Sequence, residues 1–125
     1  MPAGYPFKPD WEVTPREAAQ RLADPGDEHP GLVLLDCRTP DEHHAARIRG
    51  AVLIPLNELE RRAEELEHET LGRGRAVLVY CHHGVRSMRA ASFLRALGFS
   101  NARSIAGGID LWSIAVDPAV PRYAR

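Results

Sequence analysis

Two cysteines, Cys37 and Cys81, and six histidines are the side chains of this 125-residue chain best suited to nucleophilic or metal chemistry. Of these, Cys81 has the most informative neighbours. It opens the segment Cys81-His82-His83-Gly84-Val85-Arg86-Ser87, directly after the apolar run Ala76-Val77-Leu78-Val79-Tyr80. The run predicts a central buried strand, and the residues after Gly84 predict a helix that starts there. A cysteine between a strand end and a helix N-terminus meets unpaired backbone N–H groups and the positive end of the helix dipole. Successive N–H groups of a tight loop can also curl into an anion-binding nest. A free thiol titrates near ~8.5 and such sites bring it to ~3.5–7.5, so the expected species is a thiolate nucleophile. Gly84 allows the backbone angles of a tight cradle, and Arg86 adds a fixed positive charge. The plain alternative, a small buried apolar residue at a strand end, is less favoured once Gly84 and Arg86 are taken with it. Four of the six histidines fall in adjacent pairs, His43-His44 and His82-His83. Neighbours in sequence share no helix face, and no second ligand set has metal-motif spacing, so neither a metal nor another cofactor is expected.

The elements that must position Cys81 follow from pattern. Short apolar runs alternate with helical periods, which predicts an α/β domain with a mostly parallel sheet. Trp11-Glu12-Val13, Leu32-Val33-Leu34-Leu35-Asp36, Ala51-Val52-Leu53-Ile54-Pro55 and Ala102-Arg103-Ser104-Ile105 are the other expected strands, the second and third of them buried. Thr14-Pro15-Arg16-Glu17 and Thr39-Pro40-Asp41-Glu42 have the form of capping boxes with proline at the first helical position. Asn57-Glu58-Leu59-Glu60 starts a helix with Leu59, Ala63 and Leu66 inward and its glutamates in solvent. After Gly84, Val85, Met88, Ala91, Leu94 and Leu97 are expected on one helix side, ended by Gly98. A last short helix carries Ile109 and Trp112. Asp24 to Gly31 and Gly72-Arg73-Gly74-Arg75 read as a loop and a turn, and the chain from Asp117 as irregular.

Length and composition set the frame. At 125 residues, 44% hydrophobic and 26% charged, the chain suits one globular domain, residues 1–125, with irregular termini. A net charge of -1 gives no nucleic-acid footprint. Lys8 is the single lysine among the basic residues, which reads as compositional bias. No apolar run approaches the ~20 residues that span a bilayer, and the first residues carry no secretory pattern, so a cytoplasmic protein is expected. Two cysteines are too few for a disulfide scaffold.

The loop Cys81-His82-His83-Gly84-Val85-Arg86-Ser87 resembles the active-site loop of rhodanese-family sulfurtransferases. Leu35-Asp36-Cys37-Arg38 is similar to the family's Asp-x-Arg segment. Glu42 with Ile48-Arg49-Gly50-Ala51-Val52-Leu53-Ile54-Pro55 is similar to its Glu…His-Ile-Pro-Gly-Ala…Ile-Pro stretch, and Ala106-Gly107-Gly108 with Trp112 to its Gly-Gly…Trp signature. The resemblance spans residues 11 to 116. It implies a three-layer α/β/α domain around a mostly parallel five-stranded sheet. It also implies that Cys81 accepts sulfur as a persulfide, from a small donor anion such as thiosulfate, and passes it to a thiol or protein acceptor. The backbone of His82, His83, Gly84, Val85, Arg86 and Ser87 would be the anion cradle, with the Arg86 side chain supporting substrate or the loop itself. Arg47 and Arg49 stand where the family has His and Pro, with little catalytic consequence expected. His82 and His83 are only partly charged at pH 7, whereas rhodaneses that act well on thiosulfate often have more basic loops, so the donor stays open.

Other functions compete. A phosphatase or arsenate reductase is the nearest enzyme alternative, but phosphatases of the same fold hold five residues between Cys and Arg; four stand here, His82 to Val85, a smaller cradle that suits sulfur better than phosphate. A non-catalytic binding module often lacks the cysteine that this chain keeps. Asp36 and Arg38 end a strand near the loop, as an ion pair that fixes it or, the favoured reading, as an ordinary fold-stabilising pair. Cys37 ends a strand beside that of Cys81, and a reversible disulfide between them is a minor expectation.

Overall fold

Apolar runs without alternation need cover on both faces, and the sheet of this protein has it. A computed structural model describes residues 1–24, 26, 32–70 and 73–124, with side chains left aside at 68–70. The elements are β1 (Glu12–Val13), α1 (Pro15–Ala23), β2 (Val33–Asp36), α2 (Pro40–Ala45), β3 (Val52–Leu53), a 3-10 turn (Leu56–Glu58), α3 (Leu59–Thr70), β4 (Val77–Tyr80), α4 (Val85–Ala96), β5 (Ala102–Ile105) and α5 (Gly108–Ala115). The five strands run in the order β1-β5-β4-β2-β3 and every pairing is parallel. On one face Leu59, Ala63, Leu66, Ala91 and Leu94 of α3 and α4 pack on Leu35, Val77 and Val79. On the other, Ala18, Ile109 and Trp112 of α1 and α5 pack on Leu34, Leu78 and Tyr80. This is the expected three-layer α/β/α arrangement, with β4 in the middle.

Local signals hold where the chemistry is local. Thr39 and Glu42 form the complete capping box at α2. At α1 only half of the expected box forms: Thr14 accepts from the Glu17 N–H, while the Glu17 carboxylate pairs with Arg21 one turn on. Gly98, at φ 98°, follows the last residues of α4. Three expectations change. Ala51–Pro55 is not a buried strand: β3 is two half-buried residues at the sheet edge, paired with β2 alone. Asn57–Glu58 belongs to the 3-10 turn, and α3 begins at Leu59. Val85 is 72% exposed, so α4 buries a stripe through Ser87, Ala90, Ala91 and Leu94 instead. Ala91 and Leu94 keep the expected stripe, but at the first turn the buried position passes from Val85 to Ser87, whose hydroxyl and N–H face the sulfur of Cys81. Of the Asp24–Gly31 loop only Asp24 and Gly26 are described; Pro25 and residues 27–31 lie outside the described residues, as does Gly72 of the turn. No helix among the described residues is long and apolar enough to cross a membrane.

Candidate active site

A strand buried on both faces delivers its last residue to the sheet's carboxyl edge, where loops between elements form clefts. β4 delivers Cys81 there, 1% exposed. The loop then turns through Gly84 at φ 101°, a left-handed conformation that glycine adopts without strain, into α4. The turn aims donors back at the sulfur. The Gly84 N–H lies 3.0 Å and the Ser87 N–H 3.3 Å from Cys81 Sγ, with Ser87 Oγ at 3.4 Å. Ser87 Oγ is itself 2.7 Å from Ser104 Oγ on β5, which fixes the hydroxyl from behind. The two preceding carbonyls are held as well: the Ile109 N–H donates to Cys81 O (2.8 Å) and the Asp110 N–H to His82 O (3.1 Å), so the N-terminus of α5 pins the loop's entry. Cys81, His82, His83, Val85 and Arg86 line a cavity of about 220 Å³ above the sulfur.

Arg86, which follows the four-residue gap, grips Glu42 with both terminal nitrogens, at 2.7 and 2.8 Å. Such a fork-to-carboxylate pair is geometrically specific. Burial alone would raise the Glu42 carboxyl, but hydrogen bonds from Arg86 and Tyr123 hold it well below the usual carboxylate range. Behind it, Asp36 and Arg38 are fully buried and pair through two contacts of 2.7 and 2.8 Å. Arg38 also donates to the carbonyls of Glu42 (3.3 Å) and Ala46 (2.6 Å), and Asp36 receives Tyr80 OH and His43 Nδ1. The pair therefore ties β2, α2 and β4 together beneath Glu42. Because the folded Glu42 carboxyl is depressed, its contribution is complete above the unfolded value of ~4.3 and is lost as pH falls below it. Glu42→Gln should thus be less stable than the parent at pH 7, with the gap narrowing below pH ~4.3 in urea titrations. A gap unchanged by pH would show that this ion pair carries no stability.

All the sequence-predicted residues gather at this edge, but in different roles. His82 is buried at 4% exposure, while the neighbouring His83 side chain is 61% exposed, 3.9 Å from Asp110. Burial and then His83 lower the His82 titration, so the ring is neutral at pH 7. Cys37, in contrast to Cys81, donates its thiol to Tyr80 O (3.4 Å), and burial pushes that thiol up; both cysteines are free. Arg47 and Arg49 are exposed. The residue that sequence reasoning missed is Tyr123, from the irregular stretch after α5, whose hydroxyl donates to Glu42 at 2.8 Å. No periodicity marks it; the opposite charges of Asp110 and Arg122, twelve residues apart and paired at 2.9 Å, are the signal that could have folded that stretch back.

A family model described as a rhodanese-like domain matches residues 14–115. The chain is 40% identical over 113 residues to the adenylyltransferase and sulfurtransferase MOCS3-2 of Zea mays; the match covers 89% of this chain but spans only 23% of that relative. It is 31% identical over 102 residues to a sulfurtransferase of Allochromatium vinosum, over 82% of this chain and 87% of that one. Among solved structures, the human single-domain sulfurtransferase TSTD1 superposes with a TM-score of 0.69 at 26% identity, over 83% of this chain and 96% of that one. With the parallel sheet, the cysteine loop at the end of its central strand and a family match along most of its length, the chain belongs to the rhodanese-like domain family, among relatives that are sulfurtransferases.

Proposed function

We propose that this protein moves a sulfane sulfur from a small donor anion such as thiosulfate to a thiol, protein or other thiophilic acceptor, through a persulfide on Cys81. The observation that carries this reading is the convergence of the Gly84 and Ser87 N–H groups on Cys81 Sγ at the head of α4. Donors held in place before reaction stabilise charge without reorganising when it arrives. In the first half-reaction the Cys81 thiolate attacks the outer sulfur of thiosulfate; the S–S bond breaks and sulfite leaves with the electron pair. The persulfide keeps one negative charge within reach of the same donors. In the second half, cyanide or an acceptor thiolate attacks the terminal sulfur, and the electron pair of the broken S–S bond returns to Cys81 as thiolate. Arg86 is engaged with Glu42, so its part is to hold the loop rather than to grip the donor, and Asp36 and Arg38 support Glu42 from beneath. A reducing, cytoplasmic setting would keep Cys81 available.

The test is intact mass after incubation with thiosulfate. One added sulfur atom, removed by cyanide, is expected. No transferable sulfur from thiosulfate, mercaptopyruvate or polysulfide overturns the proposal, and Cys81-dependent hydrolysis of an aryl phosphate would replace it with phosphatase chemistry.

A further inference from the structure

The stretch after α5 is irregular but closely anchored. The Val116 and Asp117 N–H groups return to Trp112 O at 2.8 and 3.1 Å, the Ser113 hydroxyl donates to Val120 O, and Arg122 holds Asp110 through contacts of 2.9 and 3.1 Å. These bonds set Tyr123 down on the active-site loop. We infer that Tyr123 is a positioning residue of the Cys81 loop, fixing His82 by ring stacking and Arg86 through the bond of its hydroxyl to Glu42; the kinetic part of this inference rests on the sulfur-transfer reading.

Two sets of contacts carry it. The Tyr123 ring lies on the His82 ring with centroids 4.1 Å apart and planes 13° from parallel, while the His83 ring abuts His82 at 3.9 Å. The Tyr123 backbone lies within reach of the imidazole and raises its titration, while His82 Nε2 is buried without a hydrogen-bond partner among the described residues, so at that atom the flat face of the Tyr123 ring is what packs the imidazole. The hydroxyl meanwhile accepts from Arg38 Nη1 at 2.8 Å and donates to Glu42 Oε2 at 2.8 Å. Glu42 in turn clamps Arg86. Burial pushes the Tyr123 hydroxyl up to about 12, so it remains a donor at neutral pH. One side chain thereby reaches both His82, which follows the nucleophile, and the carboxylate holding Arg86, which closes the loop. Both residues line the cavity above Cys81. A shift of either changes the space offered to a donor and the aim of the Gly84 and Ser87 N–H groups between them.

The experiment compares the full chain with Tyr123→Phe and Tyr123→Leu, at temperatures where each is folded. Phe keeps the stack and removes the hydroxyl; Leu removes both. The donor KM is expected to rise about threefold in Phe and about tenfold in Leu with kcat less affected, as for a lost charge-assisted hydrogen bond and a loosened loop. Independently of any turnover, the His82 imidazole followed by NMR should titrate higher in Leu, once burial is relieved, and unchanged in Phe. His83, Asp110 and Glu42 are the charged neighbours to which that titration responds, and all are retained. Variants that differ from the parent in Tm alone, with KM and His82 unmoved, would make Tyr123 merely structural and overturn the inference. If the parent itself takes up no sulfur, the His82 shift in Leu still supports the positioning role and its absence overturns it, so the two readings fail separately. Should Leu not fold, the KM of Phe decides.

Discussion

Cys81→Ser is expected to take up no sulfur, with turnover reduced more than about a thousandfold, whereas Cys37→Ala should keep the parent rate within about twofold. Exposure does not separate the two thiols, since each is 1% exposed. Hydrogen-bond direction does. Cys81 Sγ accepts from two backbone N–H groups and can keep both as a thiolate or a persulfide. Cys37 Sγ donates to a carbonyl, a bond that an anion would turn into repulsion, and burial holds its proton on. Serine at position 81 can accept the same two N–H bonds, so the variant should fold, but its hydroxyl forms no persulfide and is a poor nucleophile without a base. Alanine at position 37 leaves a small void in the core beneath the loop, at a cost of about 1 kcal/mol. Intact mass after thiosulfate and a thiocyanate assay read both variants. Sulfur bound to Cys81→Ser, or lost with Cys37→Ala, would move the nucleophile to Cys37.

The readable part of this site is the part written in consecutive residues. Val77–Tyr80, Cys81, Gly84 and the start of α4 are contiguous, and strand, turn and helix each leave a local mark. The capping box at Thr39 is local for the same reason and brings Glu42 to the N-terminal turn of α2. What the pattern cannot hold is the first helical turn after the loop, and long reach. Val85 continues a helical apolar spacing, yet Ser87 takes the buried position at that turn. Val52 and Leu53 look like core residues, but strand order puts them at the edge, and strand order is a property of the whole chain. His82 and His83 are identical in sequence terms; one is buried against Tyr123 and the other lies in solvent. Tyr123 meets Glu42 across 81 residues of separation, and a single aromatic in a proline-containing stretch has no periodic partner to announce it.

Gly108→Ala should be the most disruptive single-methyl change at the site. A Cβ on Gly108 would stand 2.5 Å from Cys81 O and 2.6 Å from the His82 carbonyl carbon, with His82 O closer still, and all of these are backbone atoms that cannot rotate aside. That approach is what lets the next two N–H groups of α5 reach the carbonyls of Cys81 and His82 at 2.8 and 3.1 Å. Alanine would also be held at φ +63°, a conformation disfavoured for a side chain by about 1–2 kcal/mol. Overpacking adds about 1–3 kcal/mol, so a total near 3 kcal/mol is expected. If the structure gives by moving α5 from the loop, the Cys81 and His82 carbonyls lose their donors and the sulfur shifts relative to the Gly84 and Ser87 N–H groups. A displacement of ~1 Å at reacting atoms can cost ~100-fold in rate, so sulfur uptake by the folded variant should fall on that scale. Gly50→Ala is the control. Gly50 has φ +86° with nothing within 4 Å of its Cβ position, so it isolates backbone strain from collision. Gly50→Ala should lose about 1 kcal/mol in urea unfolding and keep its rate of sulfur uptake. Equal losses in the two variants would mean that left-handed strain alone explains Gly108, and that the contact of α5 with the loop does not set the position of the sulfur.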